Sequence, residues 1–424
     1  MATYKEKVGT SVVNYAGNYP GAVEGELWYD STNKDFKYQF PAVTSAGSWR
    51  TSVSLNTARS QSQGASGTTT SALATGGNTA TASYSGITEL WDGSSWTEVN
   101  DLNTARNGGS QFGTASPAAT YAGGTYTGSS PYYTADTETW NGTNWTEVNN
   151  LNQSRGLLGG TGQAPQTASL AFGGDSSSVK ANTESYNGSS WTEVNDLNTA
   201  RWGGASAGNS NTAALAISGY TPSTGSQTAN VENWNGTNWT EVNNVNTARQ
   251  EFKGSGSSTA ALAYTGGPPF TGATESWNGT NWTEVNDINT SRRTLGSSQG
   301  ETSNTNALAF GGTSDPPVRA NTESWNGTNW SEVNDLNTAR QGVGGAGTYT
   351  AALAFGKSPA GGVTEDWNGS SWVEVADLST ARGTVGGAGS SSSALAFGGE
   401  TATAQTTATE EWNSASNTVK TLTD

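Results

Sequence analysis

Three short phrases recur along this chain in a fixed order, and a chain that repeats at one spacing folds as stacked copies of one unit. Trp-Asn-Gly-Thr-Asn-Trp-Thr-Glu-Val-Asn begins at Trp140, Trp234 and Trp277, with near-copies from Trp91, Tyr186, Trp325 and Trp367. Leu-Asn-Thr-Ala-Arg ends at Arg59, Arg106, Arg201 and Arg340, with variants ending at Arg155, Arg249, Arg292 and Arg382. Ala-Leu-Ala-Phe-Gly-Gly ends at Gly312 and Gly399, relatives end at Gly77, Gly124, Gly174, Gly219 and Gly267, and residues 351–356 are the remaining form. Each phrase has eight copies, and the mean spacing from Arg59 to Arg382 is about 46 residues.

Each unit reads as four short strands. A Gly-rich stretch follows the Arg; an apolar strand such as residues 306–310 ends in a Gly pair, where positive φ and close backbone approach are permitted. After a loop of variable length, a strand such as residues 322–325 meets Asn326-Gly327-Thr328-Asn329 and a partner from Trp330 to Val333. Asn-Gly between strand residues is a strong hairpin signal. No segment carries a long 3.6-residue apolar period, and the 56 Gly argue against helices.

Composition matters through this repeat. Leu, Ile, Val and Phe make up about an eighth of the chain, which with a net charge of −16 has the profile of a disordered protein. The 17 Trp oppose that reading, and fifteen of them fall at repeat positions, all but Trp28 and Trp202. The acidic balance disfavours nucleic acid, which needs clustered Lys and Arg. No apolar run approaches a membrane span, and Met1–Lys7 has no apolar core of a secretory signal. With no His and no Cys, disulfide scaffolds, thiol nucleophiles, imidazole metal sites and Ser-His-Asp triads are excluded.

Four strands per unit at this period is the signature of propeller blades. The Gly pair after an apolar strand, the later Glu-x-Trp or Tyr, the second Trp and the Arg that opens the next unit resemble the kelch family from about Trp49 to Asp424. The departures are Ser218-Gly219 and Gly356-Lys357, where the pair is broken, and Tyr186, which replaces the first Trp. The resemblance implies an all-β, kelch-like β-propeller over residues 49–424, and the count of repeated strands gives it eight blades, an unusual number for kelch proteins, or seven and an odd unit. Trp49–Leu55 matches a fourth strand with no blade before it, so it closes the ring by completing the eighth blade, unless Thr418–Leu422 does so.

Residues 1–48 hold no repeat. Residues 25–30, 31–35 and 36–40 read as strand, turn and strand, and this Gly-Glu-Leu-Trp-Tyr-Asp hairpin resembles those of tailed-phage fibre and virion proteins. The junction from Ala46 through Trp49 into Arg59 looks like that of kelch-like virion proteins of marine phages. The resemblance implies that residues 1–48 anchor the chain to other virion proteins; the alternative is a cap on the propeller.

Candidate sites follow from what repeats and what does not. Arg59, Arg106, Arg155, Arg201, Arg249, Arg292, Arg340 and Arg382 occur once per unit, as do Glu89, Glu138, Glu184, Glu232, Glu275, Glu323, Glu365 and Glu410. Once-per-unit residues of this kind are structural: Arg ties a neighbouring carboxylate or carbonyl, although a ring of Arg lining a channel would suit an anion. The Trp pairs read as packing rather than a sugar-binding ladder. Asn-Gly-Thr and Asn-Gly-Ser match the glycosylation acceptor pattern, but turn chemistry explains them better. No calcium-loop motif is present, no metal or other cofactor is expected, and nothing marks a carboxylate pair as catalytic.

The loops that vary between units are the candidate binding face. They carry Tyr126, Tyr132, Tyr133, Tyr220, Phe270 and Arg319, with Trp202 directly after a repeat Arg. The kelch resemblance implies that these two loop sets share one face, and aromatics among Ser, Thr and Asn suit carbohydrate or protein surfaces. The expected function is a non-enzymatic structural component of a phage particle, in the tail, fibre or capsid surface, with this face contacting a host glycan or receptor or a neighbouring virion protein. The alternatives are a peptide-binding kelch adapter and a secreted carbohydrate-active protein.

Overall fold

A computed structural model describes residues 13–17, 19, 27–40, 47–60, 63–79, 84–106, 110–113, 119–124, 133–161, 164–221, 226–249, 252–267, 271–297, 304–314, 317–414 and 418–422. They form an all-β structure in which each of the eight repeat units gives one four-stranded antiparallel sheet. In the sixth unit, Gly296–Ser297, Ala307–Phe310, Thr322–Trp325 and Trp330–Glu332 lie side by side in chain order. At its Asn-Gly hairpin, the Asn326 side-chain oxygen accepts the backbone N–H of Thr328 and Asn329 at 3.0 and 2.9 Å. Gly327 there has φ 92°, a left-handed conformation that favours glycine.

The apolar second strand carries the packing logic. In Ala307–Phe310, Leu308 and Phe310 face one neighbour while Ala307 and Ala309 face the other. Leu308 and Phe310 join Ala352, Ala354, Trp367 and Trp372 of the seventh unit in one buried cluster. Large side chains therefore enter the next unit and small ones receive the previous unit, with the Trp pair walling the seam. Eight such clusters are present, and one joins Leu395 and Phe397 of the eighth unit to Ala72, Ala74, Trp91 and Trp96 of the first. Among the described residues each repeat sheet shares its core with its neighbours, which explains how a chain so poor in aliphatics buries enough surface.

A hydrogen bond marks most seams. The fourth-strand Trp donates its indole N–H to the Thr that opens the third strand of the preceding unit: Trp145 to Thr88, Trp191 to Thr137, Trp239 to Thr183, Trp330 to Thr274 and Trp372 to Thr322, all at 2.8–3.0 Å. Trp49 reaches Thr364 at 2.9 Å and Trp96 of the first unit reaches Thr409 of the eighth at 3.0 Å.

The eighth sheet takes its fourth strand from near the other end of the chain: Ser48–Thr51 pairs with Thr409–Asn413, with Trp49 opposite Trp412. Of the two strands weighed for that place, Ser48–Thr51 fits because it supplies the Trp that the seam requires. The backbone of Thr418–Leu422 pairs instead with Asp35–Phe40, which pairs with Leu27–Asp30, which runs parallel to Val13–Tyr15. The two ends of the chain thus share a ninth four-stranded sheet. Asp30 organises it, accepting from Gly17 N, Thr32 N, Asn33 Nδ2 and Lys37 Nζ at 2.7–3.1 Å. Desolvation raises the Asp30 carboxyl, but these donors outweigh it and hold the group well below the usual carboxylate range.

The Gly pair is a steric requirement. A Cβ on Gly311 would lie 2.6 Å from the Arg340 carbonyl oxygen. At Ser218, φ 55°, the hydroxyl turns this closeness to use, donating to the Arg249 oxygen at 2.7 Å. The fifth unit departs as well. Its phrase ends in Gly266-Gly267, yet Thr265 and Gly266 hold the paired left-handed conformations, φ 63° and 116°.

Candidate functional site

The eight repeat Arg and eight repeat Glu are buried and paired one to one across each connector. The sixth unit gives the pattern. Glu323 accepts from Arg292 Nη1 at 2.6 Å, Asn289 N and Nδ2 at 2.6 and 2.7 Å, and Thr290 N at 3.3 Å. The phrase Leu-Asn-Thr-Ala-Arg is thus a wrap around one carboxylate: Ile288, its Leu equivalent here, enters the core while Asn, Thr and Arg supply donors. Burial pulls the guanidinium of Arg59, Arg155, Arg201, Arg249, Arg340 and Arg382 down from its ordinary value, and the partner carboxylate pushes it back up. Burial also raises Glu184 and Glu275 against the lowering effect of their donors. A carboxylate so saturated has no free lone pair for acid–base work. The guanidiniums are enclosed and none is offered to an anion.

The repeat Trp are enclosed too, except Trp49, which is partly buried. Trp91, Trp234, Trp277, Trp325, Trp367 and Trp412 donate to a carbonyl in the turn between the first and second strands at 2.8–2.9 Å. The second Glu of the unit, such as Glu332, lies exposed on the fourth strand, where a charge on a short edge discourages further strand pairing.

Among the variable-loop residues, Tyr126, Tyr132 and Phe270 lie outside the described residues. Trp202 and Tyr220 come together: their rings are 5.4 Å apart, inclined at 47°, and their backbones exchange two hydrogen bonds of 3.2 and 2.9 Å. Both are half-buried. Tyr133 crosses from the second unit to the third and donates its hydroxyl to Asp175 Oδ2 at 3.0 Å, while burial first, then this carboxylate, pushes the phenol pKa up and keeps the group protonated. Arg319 turns back on its own loop, with Nε 3.1 Å from Ser314 Oγ.

Reasoning from the sequence missed the backbone device behind the Trp202–Tyr220 contact. In unit after unit, the residue following the repeat Arg bridges to the residue following the Gly pair: Ser60–Asn78, Gly156–Asp175, Trp202–Tyr220, Arg293–Thr313 and Gly383–Glu400. In the seventh unit Ser358 N donates to Gln341 O at 2.9 Å. Successive bridges adjoin, since the second residue of a Gly pair donates to the next Arg carbonyl: Gly174 N to Arg201 O at 2.9 Å, Gly312 N to Arg340 O at 2.8 Å and Gly399 N to Arg59 O at 2.9 Å. The two variable positions are fixed offsets from repeat phrases, which is the signal that would have found them.

A cavity of about 120 Å³, lined by Ala205, Ala207, Ile217, Phe252 and Ala261, lies between the fourth and fifth units. Asp366, half-buried in the third strand of the seventh unit opposite Val373, is pushed up to about 6 by desolvation. Among the described residues no group of three or more Asp and Glu could hold a metal ion, and no helix is long and apolar enough to cross a membrane.

No protein-family model matches this chain, and no curated protein matches it.

Proposed function

We propose that the repeat sheets are the blades of a closed, eight-bladed kelch-like propeller, and that the protein is a non-enzymatic structural component of a phage particle, on the tail, fibre or capsid surface. The observation that carries the ring is the seam between the first and last units. Trp96 donates to Thr409, and Leu395 and Phe397 pack on Ala72, Ala74 and Trp91, the arrangement found at most other seams. A ring removes long exposed sheet edges, which favours a durable scaffold.

The non-enzymatic reading rests on the repeat carboxylates, each consumed by a buried Arg and the donors beside it. The virion reading rests on the phage-like hairpin, whose strands Leu27–Asp30 and Asp35–Phe40 form the centre of the terminal sheet. That sheet is the proposed attachment to other virion proteins, and the variable loops the proposed contact with the host surface.

Particle proteomics and imaging test this reading. Mass spectrometry of purified particles is expected to find the chain, and a density map of it to show eight blades. Deleting residues 1–40 keeps Ser48–Thr51 and is expected to leave a folded repeat that no longer enters particles. Seven blades would refute the ring count; normal incorporation of the truncated chain would refute the attachment.

A further inference from the structure

The bridges combine an invariant backbone with changing side chains. Elsewhere the repeat keeps its residues: eight Arg, eight Glu and fifteen Trp at fixed places. At the two bridged positions the pairs are Ser60 with Asn78, Gly156 with Asp175, Trp202 with Tyr220, Arg293 with Thr313, Gln341 with Ser358 and Gly383 with Glu400. The backbone hydrogen bonds persist at 2.9–3.2 Å in all of them, so packing does not dictate the side chains. Neighbouring pairs also touch. Ser60 Oγ donates to Glu400 Oε1 at 2.7 Å, and Asp175 follows the Gly174 that is bonded to the residue before Trp202.

One pair is unlike the rest. Seven of the eight fourth-strand Trp donate their indole N–H to a Thr in a buried seam. Trp202 is half-buried, and neither its Nε1 nor the Tyr220 hydroxyl bonds another described residue. Two aromatic rings whose polar tips bond no other described residue therefore sit one backbone link from Asp175, which follows the Gly174 bonded to Arg201 O and accepts from the Tyr133 hydroxyl at 3.0 Å.

We propose that Trp202 and Tyr220 are a stacking platform for one pyranose ring of an oligosaccharide, with Asp175 accepting from its hydroxyls and the adjoining bridge pairs reading the sugars on either side. A sugar offers an apolar C–H face for the rings and many hydroxyls for flanking Ser, Asn, Asp, Gln and Glu. A protein partner would need a contiguous apolar centre. Instead, among the described residues the exposed aliphatics of these loops, Leu157 and Val318, are single residues in the third and sixth units. The proposal rests on the host-contact reading of the variable loops, but not on the phage assignment.

The test is an array of immobilised neutral and acidic oligosaccharides probed with the labelled full-length chain. The wild type is expected to bind a subset of them. Trp202→Ala and Tyr220→Ala are each expected to lower affinity about tenfold or more, as loss of an aromatic anchor does. Asp175→Asn should change the order of preference, and Thr328→Ala, at a hairpin tip, should leave binding intact. Thermal melting of each variant separates misfolding from lost contact, and Tyr220→Phe, which keeps the stacked ring, must bind if stacking carries the affinity. A wild type that binds no oligosaccharide, or folded Trp202→Ala and Tyr220→Ala chains that bind normally, would overturn the proposal. Either result leaves the virion reading untouched, because particle composition decides that separately.

Discussion

The buried Arg–Glu pair is the unit on which every connector closes. Its charges are enclosed, so its value lies in completeness: removing one member strands the other in a medium that cannot solvate it. Glu323→Ala leaves Arg292 and the N–H groups of Asn289 and Thr290 without their acceptor. The expected cost is about 3–5 kcal/mol, read as a lower urea midpoint with an unchanged slope. Replacing an exposed Glu such as Glu332 should change stability by no more than about 0.5 kcal/mol. The roles of Arg and Glu were legible because each occurs once per unit. The Asn that donates twice to the same carboxylate was not singled out, since its side chain resembles any turn residue until the fold brings it to Glu.

Within a sheet, the residue between Glu and Trp on the third strand faces the residue after Trp on the fourth. The pairs are small and polar in most units, as with Ser276–Thr283 and Ser324–Ser331. The seventh unit has Asp366 against Val373, with no ion pair to Asp366 among the described residues. Its folded value of about 6 lies above the ordinary 3.8, so the ionised form is the costly one. The favourable contribution is complete below the unfolded value and is lost as pH rises through about 6. Asp366→Ser restores the repeat pattern. After discounting for its partial exposure, the variant should gain about 1 kcal/mol at neutral pH and almost nothing at acid pH, seen by comparing melting temperatures across pH. The eighth unit handles the same position differently, pairing Glu411 with Arg50 at 2.8 Å.

Across the whole molecule the seams are not equal. Five carry an aromatic contact between the end of one second strand and the next fourth-strand Trp, such as Phe310 to Trp372 at 5.0 Å. Between the fourth and fifth units Ile217 takes the aromatic place, Val231 replaces the Thr, and Trp282 Nε1 is buried without a partner. The cavity of about 120 Å³ lies at this same seam. Val231→Thr supplies the missing acceptor at nearly constant volume, and should stabilise the chain by about 1 kcal/mol. Hydrogen exchange should find the amides of Ala213–Ile217 and Ala261–Tyr264 among the least protected second strands. Equal protection at all seams would show that the cavity and the lost bond carry no weight.

The sequence by itself determined the unit: its four strands, its Asn-Gly turn, its buried Trp and its once-per-unit ions. These depend on spacing within some tens of residues, and eight copies make the spacing plain. Tertiary structure alone decided which strand completes the eighth sheet, that Thr418–Leu422 joins the N-terminal hairpin, which seam lacks its bond, and that the two variable positions of a unit face each other. The reason is physical. A bridge made of backbone N–H and C=O groups asks nothing of its side chains, so it leaves no residue pattern to read, and pairing between distant ends is chosen by where the stacked units bring them.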